Sequence, residues 1–191
     1  MVYNFGFLNR FIKLHKFSSM ETQRASSSSS PSYWKYDVFL SFRGEDTRNN
    51  LTDHLYFALE QKGILTFRDD EKLERGKSIS PELLKAIEES RFAIIVLSPN
   101  YAFSRWCLIE LAKIVECMKQ NKLTILPVFY NVNPSDVRNQ MGILATRDQT
   151  FAEAFAKHER DPRVKIEDLQ AWKAALKEVG NISGWHVQQH R

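Results

Sequence analysis

"FAIIVLSPNYAFSRWCLIELAKI", residues 92–114, changes period in the middle. Its first seven residues are an almost unbroken apolar run rich in β-branched side chains, as expected for a strand buried on both faces. After a loop holding Pro99 and Asn100, apolar residues recur at helical spacing, through Leu111, Ile114, Val115 and Met118. A buried strand followed by a helix is the repeating unit of parallel sheets.

The same unit recurs on either side. "YDVFLSF" (36–42), "ILTFRD" (64–69) and "LTILPVFY" (123–130) are further short apolar runs. Between the first two lies "TRNNLTDHLYFALEQKG", with Leu51, Leu55, Ala58 and Leu59 at helical spacing and Gly63 as its stop. "SPELLKAIEESR" opens with Ser80 as N-cap and Pro81 at the first helical position. Asn133 and Pro134 open another helix in the same way, and "IEDLQAWKAALKEVG" is a last one that buries Leu169, Trp172, Leu176 and Val179. Such alternation specifies an α/β fold, an open doubly wound parallel sheet with helices on both faces. Ligands of such sheets bind outside the carboxyl ends of the strands. The loops there are 43–48, 69–78, 98–106 and 131–136, which collect charged, aromatic and Gly residues.

One residue does not fit a purely structural helix. On a helix, Glu110 neighbours Trp106, Cys107, Ile114 and Cys117, at the border of the apolar stripe, whereas Glu116 falls on the solvated side. Spacing allows two readings: an ion pair with Lys113 at i+3, or a carboxylate kept for chemistry near the mouth of the crevice.

Composition narrows the function classes. The chain has 191 residues and a net charge of +4. That charge resides in residues 1–36, where Arg10, Lys13, Lys16, Arg24 and Lys35 face only Glu21; the remainder is balanced. A neutral folded part lacks the net electrostatic drive that nucleic-acid binding usually shows, leaving a local basic patch as the alternative. Cys107 and Cys117 sit ten positions apart on one helix, about 15 Å at the helical rise, too far for a disulfide. No ligand-like spacing suggests a metal site, and no apolar run is long enough to span a membrane. Residues 1–35, which contain the low-complexity "ASSSSSPS" (25–32), read as a basic, Ser-rich leader, either an unstructured extension or an organellar transit peptide.

The blocks "YDVFLSFRGEDTR", "TFRDDEKLERG", "SPELLKAIEESR", "IIVLSPNYAFSRWCLIELAKI", "ILPVFYNVNPSDVRNQ" and "ISGWHV" together resemble the TIR domain of plant intracellular immune receptors. The resemblance covers residues 36–187, leaving 188–191 as a tail, and implies a flavodoxin-like sheet of about five strands. It further implies cleavage of NAD⁺ (or NADP⁺) at the nicotinamide–ribose bond, the nucleotide being substrate and no cofactor being needed. The products would be nicotinamide with ADP-ribose or cyclic variants, as signals in innate immunity and cell death. By the same resemblance Glu110 is the catalytic carboxylate, and Arg43, Gly44, Ser104 and Trp106 contact the nucleotide. Residues 70–78 would form a lid. Self-association would use Asp53 and His54 on the first helix and the Gly184 corner, where a missing side chain permits close approach.

Each assignment has a plainer counterpart. Arg43 could pair with Glu45 or Asp46, Trp106 could cover the helix start, and His54 could be solvated. The sequence departs from the family at residues 143–149, which lengthen a loop, and at Ile109, which replaces a frequent Asp on a side facing away from the core stripe. A non-catalytic adaptor working through TIR–TIR contact, with immune-receptor TIR domains as partners, is the alternative function. A phosphoacceptor receiver of similar fold is excluded, because the end of the third strand reads Ser98-Pro99 rather than Asp. The expected location is cytoplasmic or nuclear, with organellar import the outcome if the leader targets.

Overall fold

The computed structural model describes residues 34–68, 81–120, 122–140 and 150–188. The leader before Trp34, the 70–78 loop, the Ser80 cap and the 143–149 loop lie outside the described residues. Five parallel strands form one sheet in the order β2-β1-β3-β4-β5. They are β1 (Tyr36–Phe42), β2 (Thr66–Arg68), β3 (Ser90–Leu97), β4 (Thr124–Tyr130) and β5 (Trp185–Val187). This is the flavodoxin-like order, in which the winding reverses between β1 and β3. The crevice therefore opens at the carboxyl ends of those two strands.

Strand alternation divides the core in two. Val38, Leu40, Phe42, Ile94, Val96 and Val128 point to one face and pack against Leu51, Leu55 and Leu59. Phe39, Ala93, Ile95, Leu97, Ile125 and Phe129 point to the other and pack against the remaining helices. These are α3 (Pro81–Glu88), α4 (Arg105–Lys119), α6 (Phe151–Glu159) and α7 (Ile166–Gly180), with the short α5 (Pro134–Asn139) beside α7. Ser41 has the parity of Phe39 and so faces α4.

The first helix is less regular than its apolar spacing suggests. A four-residue turn, α1 (Gly44–Thr47), passes into a π-helical turn over Arg48–Thr52 and then into α2 (Asp53–Glu60). Its end matches expectation: Gly63 adopts φ 71°, and the Ile64 amide returns to the Leu59 carbonyl at 3.1 Å. Asn133 likewise caps α5, accepting from the Ser135 amide at 3.0 Å.

Three local findings differ from the sequence reading. Trp34 and Lys35 already belong to the folded unit: the Trp34 Nε1–H donates to the Lys122 carbonyl at 3.1 Å, and the Lys35 amide to the Glu89 carbonyl at 2.8 Å. Ile109 does not face away but packs against the α4-side core. At Gly184 the close approach is intramolecular: a Cβ there would lie 2.4 Å from the Pro127 carbonyl oxygen and 2.8 Å from the Phe129 ring. The missing side chain thus lets β5 dock on β4.

Candidate functional site

At the mouth of the crevice, the loops following β1 and β3 are tied together by one carboxylate. Asp46 on α1 accepts from Ser98 Oγ at 2.6 Å, from the Asn100 amide at 3.1 Å and from Asn100 Nδ2 at 3.2 Å. It also pairs with Arg43, which engages Glu45 as well. The plainer reading of Arg43 therefore describes its present partners. Among the described residues, the buried acceptor Asn100 Oδ1 has no hydrogen-bond partner. Gly44 opens α1 directly after Arg43, and a Cβ there would meet the flexible Arg48 side chain at 3.1 Å.

Below the mouth lies Glu110, only 6% exposed. Lys113 is not its partner; that ammonium is held by Glu88 at 2.6 Å and Glu116 at 3.3 Å. The carboxylate instead turns inward, where Ser41 Oγ–H donates to Oε2 at 2.7 Å. Ser41 Oγ is also 2.9 Å from the Tyr101 hydroxyl, which donates to the Cys107 carbonyl at 3.1 Å. Ser41 and Tyr101 are both fully buried. Burial pushes the Tyr101 phenol well above its usual range, and the neighbouring Cys107 and Glu110 push in the same direction. The Cys107 thiol is raised by burial first and then by Glu110, which keeps it protonated and unreactive.

The entry to α4 explains how these groups are held. A 3₁₀ turn, Tyr101–Phe103, leads to Ser104, whose Oγ caps the helix by accepting from the Cys107 amide at 3.3 Å. The same turn is fixed from outside by buried His158, whose Nε2–H donates to the Ala102 carbonyl at 2.8 Å. Trp106, half-buried, occupies the first turn of α4, one turn before Glu110. Arg43, Gly44, Ser104, Trp106 and Glu110 thus gather around the ends of β1 and β3. Asp53 and His54 stand apart on α2. Asp53 binds Arg68 at 2.6 Å, and exposed His54 donates from Nδ1 to the Asn50 carbonyl at 2.6 Å. Gly184 lies at the opposite sheet edge, before β5.

Sequence reasoning did not single out Ser41, Tyr101, Asp46 or Asn100 as site residues. A signal existed for the first: parity with Phe39 puts Ser41 on the α4 face, a polar residue near the carboxyl end of a largely apolar strand.

A family model described as TIR domain matches residues 35–191. The chain belongs to the TIR domain family. This TIR domain is 55% identical over 159 residues to the TMV resistance protein N of Nicotiana glutinosa, a match covering 83% of the chain and 13% of the relative. It is 55% identical over 178 residues to the disease resistance protein RPV1 of Vitis rotundifolia, covering 91% and 12%. Among solved structures it resembles the TIR domains of the activated Roq1 resistosome, which recognises the pathogen effector XopQ. That likeness has TM-score 0.68 and 52% identity, and covers 80% of this chain and 88% of that one. The chain therefore spans about an eighth of these curated relatives, and its TIR fold is that of plant disease resistance proteins. Among the described residues, no helix is long and apolar enough to cross a membrane.

Proposed function

We propose that this TIR domain hydrolyses NAD⁺ or NADP⁺ at the nicotinamide–ribose bond, as a signalling NAD⁺ nucleosidase of plant innate immunity. The observation that carries the reading is Glu110: a carboxylate only 6% exposed beside the switch-point crevice, which accepts from buried Ser41 while Lys113 is held by Glu88 and Glu116. When the bond between ribose C1′ and nicotinamide N1 breaks, its electron pair passes to the ring nitrogen. Nicotinamide then leaves neutral, and no strong general acid is required. Positive charge develops on the ribose, and a preorganised, desolvated carboxylate stabilises it. One carboxylate suffices, unlike the pair used by most glycosidases. Water adding at C1′ and losing a proton gives ADP-ribose; attack by a nucleophile within the nucleotide gives a cyclic variant.

Around that centre, Arg43 would exchange Glu45 and Asp46 for the pyrophosphate, Gly44 would let the backbone approach it, and Asn100 Oδ1 would accept from a sugar hydroxyl. Trp106 would stack on an aromatic base, with Ser104 lining the same pocket. The site lies near the surface, so assembly of several domains would help to exclude water. The α2 surface at Asp53 and His54 is the face proposed for self-association, with the β5 edge as a second face on which Gly184 acts by docking β5 on β4, and TIR domains of immune receptors are the proposed heterotypic partners. The buried reduced thiols Cys107 and Cys117 suit a cytoplasmic or nuclear setting.

The test is to incubate the purified chain with NAD⁺ over a series of protein concentrations and to measure nicotinamide. The reading expects release whose specific activity rises with concentration and vanishes in Glu110→Ala. A folded wild-type domain that releases none at any concentration supports the non-catalytic adaptor instead.

A further inference from the structure

Two buried hydroxyls stand behind Glu110, and their proton count is informative. Three contacts run in line: Glu110 Oε2 to Ser41 Oγ at 2.7 Å, Ser41 Oγ to Tyr101 OH at 2.9 Å, and Tyr101 OH to the Cys107 carbonyl at 3.1 Å. The two hydroxyls own one proton each. With Glu110 ionised, the Ser41 proton lies on the carboxylate, and the Tyr101 proton serves both Ser41 Oγ and the Cys107 carbonyl. With Glu110 protonated, every contact has its own proton: the carboxyl donates to Ser41, Ser41 to Tyr101, and Tyr101 to the carbonyl. The chain of groups therefore has two hydrogen-bonded arrangements that differ by the charge on Glu110.

Neither hydroxyl is explained by packing. Both residues are fully buried, and a buried hydroxyl is costly unless it is paired. Alanine and phenylalanine would serve the apolar neighbours equally well. Resting on the reading of Glu110 as the catalytic carboxylate, we infer that Ser41 and Tyr101 are positioning residues: they hold that carboxylate and set the pH below which it loses its charge.

Among the described residues, several charged and titratable groups stand around Glu110. Cys107 lies one turn back on α4, and Tyr101 lies on the 3₁₀ turn. Arg43 and Asp46 stand at the end of β1 and on α1, close enough for their charges to act on Cys107. Farther along α4, Lys113 is paired with Glu88 of α3 and with Glu116, and Lys119 with Glu178 of α7. Arg43 and Asp46 carry opposite charges. Ser41 donates directly to the carboxylate, so its removal acts on Glu110 without an intermediary.

Ser41→Ala, Tyr101→Phe and the double variant of the full chain test this. Each is followed by the pH dependence of nicotinamide release and, independently of turnover, by ¹³C NMR titration of the Glu110 side-chain carboxyl. Loss of one hydrogen bond to a charged group corresponds to roughly a tenfold fall in kcat and about one pH unit. In Ser41→Ala the acid limb and the carboxyl midpoint should both move to higher pH by about that amount, with kcat falling more than KM rises. Tyr101→Phe should move both in the same direction by less, and the double variant should fall short of the sum because the groups act in series. Carboxyl midpoints equal to wild type in a folded Tyr101→Phe and Ser41→Ala overturn the inference while leaving NAD⁺ cleavage standing. If Ser41→Ala does not fold, Tyr101→Phe alone decides in the same way. Midpoints that move in a domain releasing no nicotinamide support the relay and overturn the cleavage reading.

Discussion

The two faces of the sheet are built to different rules. On the α2 face, Val38, Leu40 and Phe42 pack with Leu51, Leu55 and Leu59 in an apolar cluster, with Arg48 over the Phe42 ring at its edge. On the α4 face, the same strand presents Phe39 and then Ser41, and the facing helix answers with Glu110 and the turn with Tyr101. Burying a carboxylate costs far more than burying a leucine, and pairing it with a hydroxyl offsets only part of that. The apolar cluster of the first face holds the fold. The second gives up stability at one point, and that point lies beside the crevice where the winding of the sheet reverses.

The comparison can be broken most sharply on the apolar side. Leu55→Ala, at a fully buried position, should cost about 2–5 kcal/mol of unfolding free energy while leaving turnover per folded molecule unchanged. Denaturant unfolding with an active-fraction assay checks both halves, and a loss of turnover in the folded protein would mean that the faces are coupled. Asp46→Ala comes next, because it unties Ser98, Asn100 and Arg43 at once. Leaving buried Ser98 and part-buried Asn100 without their acceptor should cost about 1–3 kcal/mol and raise KM for NAD⁺, read from melting and steady-state kinetics. His54→Ala touches neither core and should leave stability unchanged. Its expected effect is a several-fold flattening of specific activity against protein concentration.

The smallest effect concerns pH. Burial holds the His158 imidazole below its ordinary value, so between that lowered value and 6.5 the unfolded chain binds more protons than the native one. Its contribution to stability is therefore present above 6.5 and lost as the pH falls through this window. A melting temperature that drops from pH 7.5 to pH 5.5, with a shallower drop in His158→Gln, is the expected outcome.

Much of this contrast was legible in the residues, and the rest failed for identifiable reasons. The three long strands announce themselves because burial on both faces leaves an unbroken apolar run. β5 does not, since three residues at a sheet edge carry no period. The π-helical turn at Arg48–Thr52 passes unnoticed because the Leu51–Leu55–Leu59 spacing is helical on either side of it. Glu110 stood out as a misfit on an apolar stripe, yet spacing alone could not separate an ion pair with Lys113 from an inward carboxylate. That distinction depends on Glu88, contributed by α3, which occupies the lysine. Ser41 and Tyr101 are far apart in the chain, and only the β1–β3 pairing brings them onto one carboxylate.

The central claim is that Glu110 is kept for chemistry at the expense of the fold, and Glu110→Gln tests it most directly. The substitution preserves shape and the ability to accept from Ser41 while removing the buried charge. Thermal unfolding and nicotinamide release should be measured on the same sample. The account predicts a melting temperature equal to or above wild type, with NAD⁺ cleavage lost. A variant that melts lower and still releases nicotinamide at the wild-type rate would show that the carboxylate serves the structure, and would contradict it.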